Sequence, residues 1–295
     1  MDIKGIIPAM VTPIKDNNEI NYDATEILIE KLIANGCSAI FILGTNGEFH
    51  MMNTKQKIEF TDFTAKKIDG RVPLIVGTGG NSTSEVIELS KEIISVGADL
   101  LSIITPYFIR PSSEELRDHY LEIANNLKFP LMIYNIPKLT GISVEKDILE
   151  ELATNEHIVG IKDSSGELEN IKTYIQIGKD KKFNVLCGTD SLILDSLKEG
   201  GSGAVASTAN VVPDIVYGIY NNWEKGNFKE AEKHQEQLKK IRELFSEGTI
   251  PSVLKSFVNH TGIEAGNPIA PIRPVDEKVE KKVIEVVKYF NNSRG

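Results

Sequence analysis

The chain has 295 residues, 41% of them hydrophobic and 25% charged, so it is long enough to bury one large core or two smaller ones. Its formal charge of -9 at pH 7 and its pI near 5.2 exclude the general basic field that attracts nucleic acid or anionic membrane, and neither is an expected partner. No apolar run approaches the roughly 18 residues that a membrane-spanning helix needs. These properties predict a globular protein with a cytoplasmic location.

Short apolar runs alternate along the chain with longer segments of helical period. The eight runs are at 3–11, 38–43, 73–76, 100–104, 130–134, 158–162, 184–187 and 203–206. Between them, apolar residues three or four apart predict amphipathic helices at 24–34, 55–68, 84–96, 113–125, 144–152, 168–177 and 191–198. Gly36, Gly97 and Gly200 fall where helix C-terminal caps are expected.

Eight alternations of strand and helix predict a parallel sheet that closes into a (β/α)₈ TIM barrel. An open doubly wound sheet is the alternative, but GTNGE at 44–48 lacks the G-x-G-x-x-G spacing of a dinucleotide site. After Pro213 the pattern is helical only, at 214–223, 228–245, 250–259 and 277–290. We therefore predict a barrel that carries the active site at 1–212 and a C-terminal helical extension at 213–295.

The two cysteines, Cys37 and Cys187, both lie within apolar segments. We interpret them as small buried hydrophobic residues. Neither a disulfide framework nor a cysteine metal site is expected.

Lys162 is the most informative single residue, because it follows an apolar run and precedes small polar residues in HIVGIKDSSG at 157–166. An ammonium group is costly to bury. Such a lysine therefore either extends to solvent or has a lowered pKa and becomes a nucleophilic amine. An amine at the end of a buried strand is where Schiff-base chemistry is expected.

Polar residues follow several other strands at the end where a TIM barrel places its active site. They are Thr45, Asn46 and Glu48 after the second strand, Tyr107 after the fourth, Tyr134 ending the fifth, Lys162 ending the sixth, and Thr189 and Asp190 after the seventh. Strand alternation puts Lys162 and Ser164 on one face and Asp163 on the other. Ser164 is therefore a better candidate than Asp163 for contact with a ligand.

Six segments together carry a resemblance to a known family. They are GTNGEF (44–49), TPYF (105–108), YNIPKLTG (134–141), GIKDSSG (160–166), CGTDS (187–191) and AVASTANVVP (204–213). In this order and spacing, over nearly the whole chain, they resemble the pyruvate-dependent class I aldolase family, which includes dihydrodipicolinate synthase, N-acetylneuraminate lyase and the 2-keto-3-deoxy sugar-acid aldolases. The resemblance implies a barrel with a C-terminal helical extension, assembled as a homotetramer.

The resemblance also implies a mechanism, in which Lys162 forms an iminium with the ketone of pyruvate. Tyr134 would be the general acid and base, with Thr45 relaying protons, and the turn at 44–47 would bind the carboxylate. The implied substrate-binding residues are Thr45, Asn46, Gly47, Tyr107, Leu139, Ser164, Asp190 and Val205. No metal or organic cofactor is expected, and the partners are small molecules: pyruvate with an aldehyde or a 2-keto-3-deoxy acid.

Three of the polar residues also have structural interpretations. Tyr134 could be a core tyrosine whose hydroxyl is satisfied at the barrel rim. Glu48 is interpreted as a helix N-terminal carboxylate. Asp190 could cap the helix that follows it or bind substrate, and the sequence favours neither.

The departures from the family pattern concern the second substrate. Dihydrodipicolinate synthases usually carry arginine at Leu139, threonine at Asn46, a relay tyrosine at Phe108 and a small apolar residue at Ser164. N-acetylneuraminate lyase has a glutamate at the place of Ser191. Because Leu139 cannot bind a distal carboxylate, we expect a 2-keto-3-deoxygluconate-type aldolase.

Two alternatives remain open at the sequence level. The first is dihydrodipicolinate synthase, with Arg110 or Lys138 supplying the missing cation. The second is a non-catalytic pyruvate or sugar-acid binding protein. In an active enzyme, either Tyr107 or water would replace the tyrosine expected at Phe108.

Overall fold

The computed structural model describes residues 3–292, in which eight strands form one parallel sheet. The strands are β1 Gly5–Pro8, β2 Ile40–Ile42, β3 Leu74–Gly77, β4 Leu100–Ile104, β5 Leu131–Asn135, β6 Ile158–Asp163, β7 Asn184–Cys187 and β8 Gly203–Ala206. Each strand pairs with its neighbours in the chain, and β8 pairs with β1. A parallel bridge between Ala9 and Phe41 joins β1 to β2 and closes the ring. The predicted (β/α)₈ barrel is confirmed.

The described residues form thirteen helices. They are α1 Tyr22–Ala34, α2 Thr54–Ile68, α3 Thr83–Ser95, α4 Ser113–Leu127, α5 Pro137–Thr140, α6 Lys146–Leu152, α7 Leu168–Gly178, α8 Ile193–Lys198, α9 Pro213–Glu224, α10 Phe228–Gln237, α11 Lys239–Leu244, α12 Ile250–Asn259 and α13 Glu277–Asn292. Gly36, Gly97 and Gly200 follow α1, α3 and α8 with positive φ, as predicted for helix C-terminal caps.

Two helical details differ from the prediction. The single helix expected at 228–245 is divided at Leu238, because its N–H bonds to the carbonyl of Gln235, three residues back, and tightens the chain there. The short helix α5 was not predicted. It begins at Pro137, whose fixed φ suits a first helical position, and ends at Gly141 in the left-handed region.

The core has two layers, one inside the barrel and one between the barrel and its helices. The strands are buried on both faces, as in all-parallel sheets. The interior layer includes Ile7, Phe41, Ile75, Met132, Leu186 and Val205. The strand residues between them pack against the helices.

The helices after β8 lie against the barrel and against one another. Helix α9 contacts β1 and α8, and α10 packs along α9. Helix α13 contacts α11 and α12. The domain division at residue 212 stays a prediction. Within residues 3–292, no helix is both long and apolar enough to cross a membrane.

Both cysteines are buried and free, as predicted. Desolvation raises the pKa of the Cys37 thiol to about 12, and it raises the pKa of the Cys187 thiol to about 12 as well. Because the thiolate is the reactive form, we expect neither thiol of the folded protein to react with an aromatic disulfide reagent at neutral pH. Both should react after denaturation. Rapid labelling of either thiol in the native protein would show that the core around that cysteine is open to the reagent.

Gly77 ends β3 at a point of close backbone approach. A Cβ atom at Gly77 would lie 2.0 Å from the carbonyl oxygen of Leu43, so that Gly77→Ala forces the two strands apart. We expect this change to lower the free energy of unfolding by about 1–3 kcal/mol in urea titrations. Gly80→Ala is the matched control, because a Cβ there meets only a Val86 methyl at 3.4 Å. Equal losses in both variants would contradict the steric explanation.

Candidate active site

Lys162 lies at the end of the barrel where the carboxyl ends of the strands meet, here called the barrel mouth. Its side chain is only 4% exposed and does not extend to solvent. Nζ lies 3.8 Å from the ring centroid of Tyr134 and 5.0 Å from that of Phe41. The parallel register sets Tyr134 on β5 directly beside Lys162 on β6. The amine is thus enclosed by two aromatic faces in a largely apolar interior.

The alternation predicted for β6 is confirmed by what its neighbouring residues contact. Ile161 belongs to the core layer between barrel and helices. Asp163 is also turned away from Lys162 and accepts hydrogen bonds from Asn135 Nδ2 (2.7 Å), Asn170 Nδ2 (3.0 Å) and Ser165 Oγ (2.6 Å). Burial raises the pKa of Asp163, and these hydrogen bonds oppose the rise. The network ties β5 to β6 behind the Tyr134–Lys162 pair, and the sequence did not reveal it.

Tyr134 and Thr45 meet at the barrel mouth. The phenol oxygen of Tyr134 lies 3.2 Å from Thr45 Oγ1, a hydrogen bond in which either group can donate. Thr45 stands in the loop after β2, and Tyr134 stands on β5. Lys162, Tyr134 and Thr45 are therefore brought together from three separate parts of the chain, as the sequence predicted.

The turn at 44–48 presents backbone donors beside these side chains. Gly44 O accepts the N–H of Gly47 at 3.1 Å, and Thr45 O accepts that of Glu48 at 3.1 Å. In residues 3–292, no protein acceptor takes the N–H groups of Thr45 and Asn46. Consecutive free N–H groups of this kind form an anion-binding concavity.

Asn46 and Gly47 fix this turn to its surroundings. The Asn46 amide donates to Ser207 Oγ (2.8 Å), and Thr12 Oγ1 donates to Gly47 O (2.8 Å). A Cβ atom at Gly47 would lie 3.1 Å from Leu43 N, so the turn packs closely on the end of β2. The Asn46 side chain is thereby used to join the loops after β2 and β8.

The prediction for Glu48 is wrong. It precedes a 3₁₀ turn, but its side chain makes no capping hydrogen bond there. Its carboxylate instead accepts the N–H of Ile269 at 2.7 Å and forms a buried ion pair with Lys255 at 2.5 Å. The cause is tertiary, because the chain after α12 folds against the back of the turn.

Asp190 also has a partner that neither sequence interpretation anticipated. Its two carboxylate oxygens accept the N–H groups of Ser207 (3.2 Å) and Thr208 (2.7 Å). It therefore caps the 3₁₀ turn after β8 instead of its own helix, and backbone donors occupy both oxygens. The structure places Asp190 in support of the β8 loop, away from open contact with a substrate.

The remaining predicted site residues lie at different depths. Val205 is buried in the interior layer. Tyr107 is half-buried, packs edge-on against Phe49 at 6.4 Å, and has its pKa raised by burial. Ser164 stands near Lys162, and its Oγ donates to Gly188 O at 3.2 Å. Leu139 is 57% exposed on α5.

Gly188 is a site residue that the sequence analysis missed. A Cβ atom there would lie 2.1 Å from Ser164 Oγ and 3.0 Å from Lys162 Cε. Only glycine therefore leaves room for the Lys162 side chain on this side of the mouth. The signal available in the sequence was its position directly after a buried strand, in CGTDS.

Two residues of the loop after β4 frame the entrance to the mouth. Phe108 has a positive φ of 80° and is 90% exposed. The guanidinium group of Arg110 covers Gly141, where a Cβ atom would lie 2.9 Å from Arg110 Nε. Arg110 is thus the cation next to α5, the helix that carries Leu139.

No metal-binding constellation accompanies this site. Among residues 3–292, no group of three or more His, Cys, Asp and Glu side chains is placed to hold a metal ion.

The chain matches known proteins over nearly its full length. The sequence model of the Dihydrodipicolinate synthetase family matches residues 2–290. A 4-hydroxy-tetrahydrodipicolinate synthase from Oceanobacillus iheyensis is 31% identical over 295 residues, which cover 100% of this chain and 99% of that protein. One from Methanopyrus kandleri is 34% identical over 282 residues, covering 95% and 93%.

Solved structures agree with the sequence comparison. YagE of E. coli K12, a prophage protein of the dihydrodipicolinic acid synthase family in complex with pyruvate, superimposes with a TM-score of 0.94 at 28% identity over 98% of both chains. Given the barrel, the residues at its mouth and the match of the family model to nearly every residue, the chain belongs to the dihydrodipicolinate synthetase family, whose members are pyruvate-dependent class I aldolases that form or break carbon–carbon bonds.

Proposed function

We propose that Lys162 is the nucleophile of a Schiff-base aldolase. Its amine attacks the ketone carbon of pyruvate, and loss of water from the carbinolamine leaves an iminium. The iminium draws electrons from the methyl carbon, which loses a proton to give an enamine that attacks an aldehyde. The observation that carries this proposal is the enclosure of Nζ between the rings of Tyr134 and Phe41, where no carboxylate of residues 3–292 forms an ion pair with it.

Tyr134 is proposed as the general acid and base of this sequence. Its phenol is adjacent to Lys162 and shares a hydrogen bond with Thr45 Oγ1 at 3.2 Å. Protonation of the carbinolamine hydroxyl and removal of the methyl proton both need a group at this position. Thr45 can pass the proton on, since a hydroxyl both donates and accepts.

Pyruvate's carboxylate is proposed to bind at the turn. The N–H groups of Thr45 and Asn46 supply two donors, and charge-assisted hydrogen bonds of this kind are roughly twice as strong as neutral ones. A carboxylate held there places the neighbouring ketone toward Lys162. Because the iminium is itself the electron sink, the reaction needs no metal or organic cofactor.

For the second substrate we propose aspartate semialdehyde, which makes the protein a 4-hydroxy-tetrahydrodipicolinate synthase. Relatives at 31% and 34% identity carry that name over almost their whole length. Arg110 supports this proposal as a cation beside α5, since its guanidinium group lies over Gly141. This proposal replaces the sugar-acid preference drawn from the departures at Leu139 and Ser164.

A 2-keto-3-deoxy sugar acid is the second candidate, and two features specifically favour it. Leu139, at 57% exposure on α5, offers no hydrogen bond to a carboxylate. Ser164 supplies a hydroxyl near Lys162 that suits a polyhydroxylated chain. If the substrate is a sugar acid, Arg110 would bind the sugar chain or no substrate group at all.

We also propose the homotetramer that the resemblance implies. Phe108 and Ile109, exposed at 90% and 74%, form an apolar pair at the rim of the mouth. A subunit interface would remove them from water.

Borohydride reduction with pyruvate tests the nucleophile. We expect the native protein to gain one reduced pyruvate adduct by mass, and Lys162→Ala to gain none while keeping its circular dichroism spectrum. Tyr134→Phe is the matched control, since it keeps the amine. It should still be trapped, but turnover should fall roughly 10²–10⁴-fold, the range for loss of a general acid or base.

Adduct formation in Lys162→Ala would exclude Lys162 as the nucleophile. An unchanged rate in Tyr134→Phe would remove Tyr134 from proton transfer. Trapping without turnover of any aldehyde would instead identify a pyruvate-binding protein.

Acceptor choice is tested by measuring pyruvate consumption with aspartate semialdehyde and with D-glyceraldehyde. We expect the semialdehyde to be preferred, and Arg110→Gln to lower its kcat/KM by about tenfold or more, the loss expected for one hydrogen bond to a charged group. Lys138→Gln, an exposed cation on α5, is the control and should have little effect. Preference for glyceraldehyde in the native protein, with no effect of Arg110→Gln, would favour the sugar-acid aldolase.

A further inference from the structure

One ion pair in this protein is fully enclosed, and it lies directly behind the candidate active site. Glu48 and Lys255 meet at 2.5 Å with side-chain exposures of 0% and 1%. The other ion pairs between lysine or arginine and an acid, among the described residues, have exposed or half-exposed side chains. Desolvation lowers the pKa of Lys255, and the carboxylate of Glu48 acts in the opposite direction.

The pair joins the turn at 44–48 to two successive segments of the C-terminal extension. Glu48 closes the turn at 44–48, because its own N–H donates to Thr45 O at 3.1 Å. Its Oε1 accepts the N–H of Ile269, which lies 221 residues away. Lys255, on α12, also donates to Asn267 O at 3.0 Å. The turn is thereby attached to both α12 and the chain that follows it.

The backbone at this position requires such an attachment. Glu48 has φ 55° and ψ 34°, a left-handed conformation that is unfavourable for a residue with a side chain and persists only where the surroundings determine it. Glu48 ends the turn in which the N–H groups of Thr45 and Asn46 have no acceptor among residues 3–292. A one-residue change in the pair therefore acts on the proposed carboxylate site without touching a ligand.

Stability alone does not explain the pair. Replacing a buried ion pair by well-packed apolar residues is often neutral or stabilising, because two charges must be desolvated to form it. A requirement for one defined geometry is a better explanation, since an apolar contact would allow the turn to shift against α12. Here the geometry concerns the turn that carries two proposed ligands of pyruvate.

We propose that Glu48 and Lys255 are positioning residues for pyruvate, through which the C-terminal extension sets the geometry of the carboxylate-binding turn. This inference rests on the proposed function, because it assumes that the turn binds pyruvate. Neither side chain touches the substrate or Lys162. The extension is thus part of the active-site apparatus, in addition to its packing on the barrel.

The experiment compares the pyruvate concentration that half-saturates borohydride trapping in four proteins. They are the native protein, Lys255→Met, the neutral double variant Glu48→Gln with Lys255→Met, and Lys282→Met as the control. Lys282 forms a half-exposed ion pair with Glu247 within the extension. Lys282→Met therefore removes one charge from the same region and leaves the Glu48–Lys255 pair intact. Thermal unfolding and steady-state kinetics accompany each trapping series.

We expect Lys255→Met to raise both the half-saturating pyruvate concentration and KM for pyruvate by roughly tenfold or more, since the turn loses its ion pair to α12 and Lys255 loses its hydrogen bond to Asn267 O. The change in kcat at saturating pyruvate should be much smaller, because Lys162 and Tyr134 are intact. Lys255→Met also leaves Glu48 buried without its cation, and it should lose thermal stability. The double variant should regain that stability while its half-saturating concentration stays high.

Each outcome has a distinct meaning. Recovery of both stability and pyruvate affinity in the double variant would show a purely structural pair and overturn the proposal. Native-like pyruvate affinity in a folded Lys255→Met would do the same, and so would an equal effect in Lys282→Met. If the native protein is not trapped at all, the proposed Schiff base fails and this inference fails with it, whereas trapping in native protein with unchanged variants refutes the inference alone.

Discussion

The register between β5 and β6 is the constraint on which the rest of the site depends. It sets Tyr134 beside Lys162 across one pair of parallel strands, so the phenol and the amine meet without any loop having to order. The hydrogen bonds of Asn135 and Asn170 to Asp163 fix this register from the outer side of the sheet. A shift of one residue would turn Lys162 into the apolar layer under the helices and Asp163 into the mouth.

Around this pair, the loops after β2, β7 and β8 are held by buried polar contacts. Asp190 supports the loop after β8, and Asn46 connects that loop to the turn after β2. Glu48 then connects the turn to the C-terminal extension. Barrel enzymes place catalytic groups on strand ends and vary the loops. In this protein, buried side chains of those loops hold the loop backbone in place. The backbone N–H groups of the turn at 44–48 are then the proposed hydrogen-bond donors to pyruvate.

The sequence predicted the barrel and the central residues because both depend on local patterns. Alternation in β6 was enough to separate Ser164 from Asp163, and apolar period located nearly every helix. The errors have a common physical origin in contacts between distant segments. Glu48 was assigned to the nearest helix, yet its partner is Lys255. Asp190 was left open between capping its own helix and binding substrate, and its carboxylate instead accepts the N–H of Thr208. The division at Leu238 and the short α5 have a different, local cause, because the Leu238 N–H bonds to Gln235 O and the residues Pro137 and Gly141 bound α5.

The part of the mouth proposed to bind the aldehyde is built from different elements than the part proposed to bind pyruvate. Pyruvate's proposed contacts are backbone donors and groups on strands, all rigidly supported, whereas the acceptor would meet α5 and the loop after β4. Thr105 and Thr140 hydrogen-bond at 3.0 Å and hold these two segments together. Arg110 and Leu139 therefore stand on one joined surface, and under the proposed function a change in either would act on the acceptor and not on pyruvate. Substitutions on the surface that carries Arg110 and Leu139 would therefore change selectivity for the aldehyde. They would leave Lys162 and the proposed carboxylate site at 44–48 unaltered.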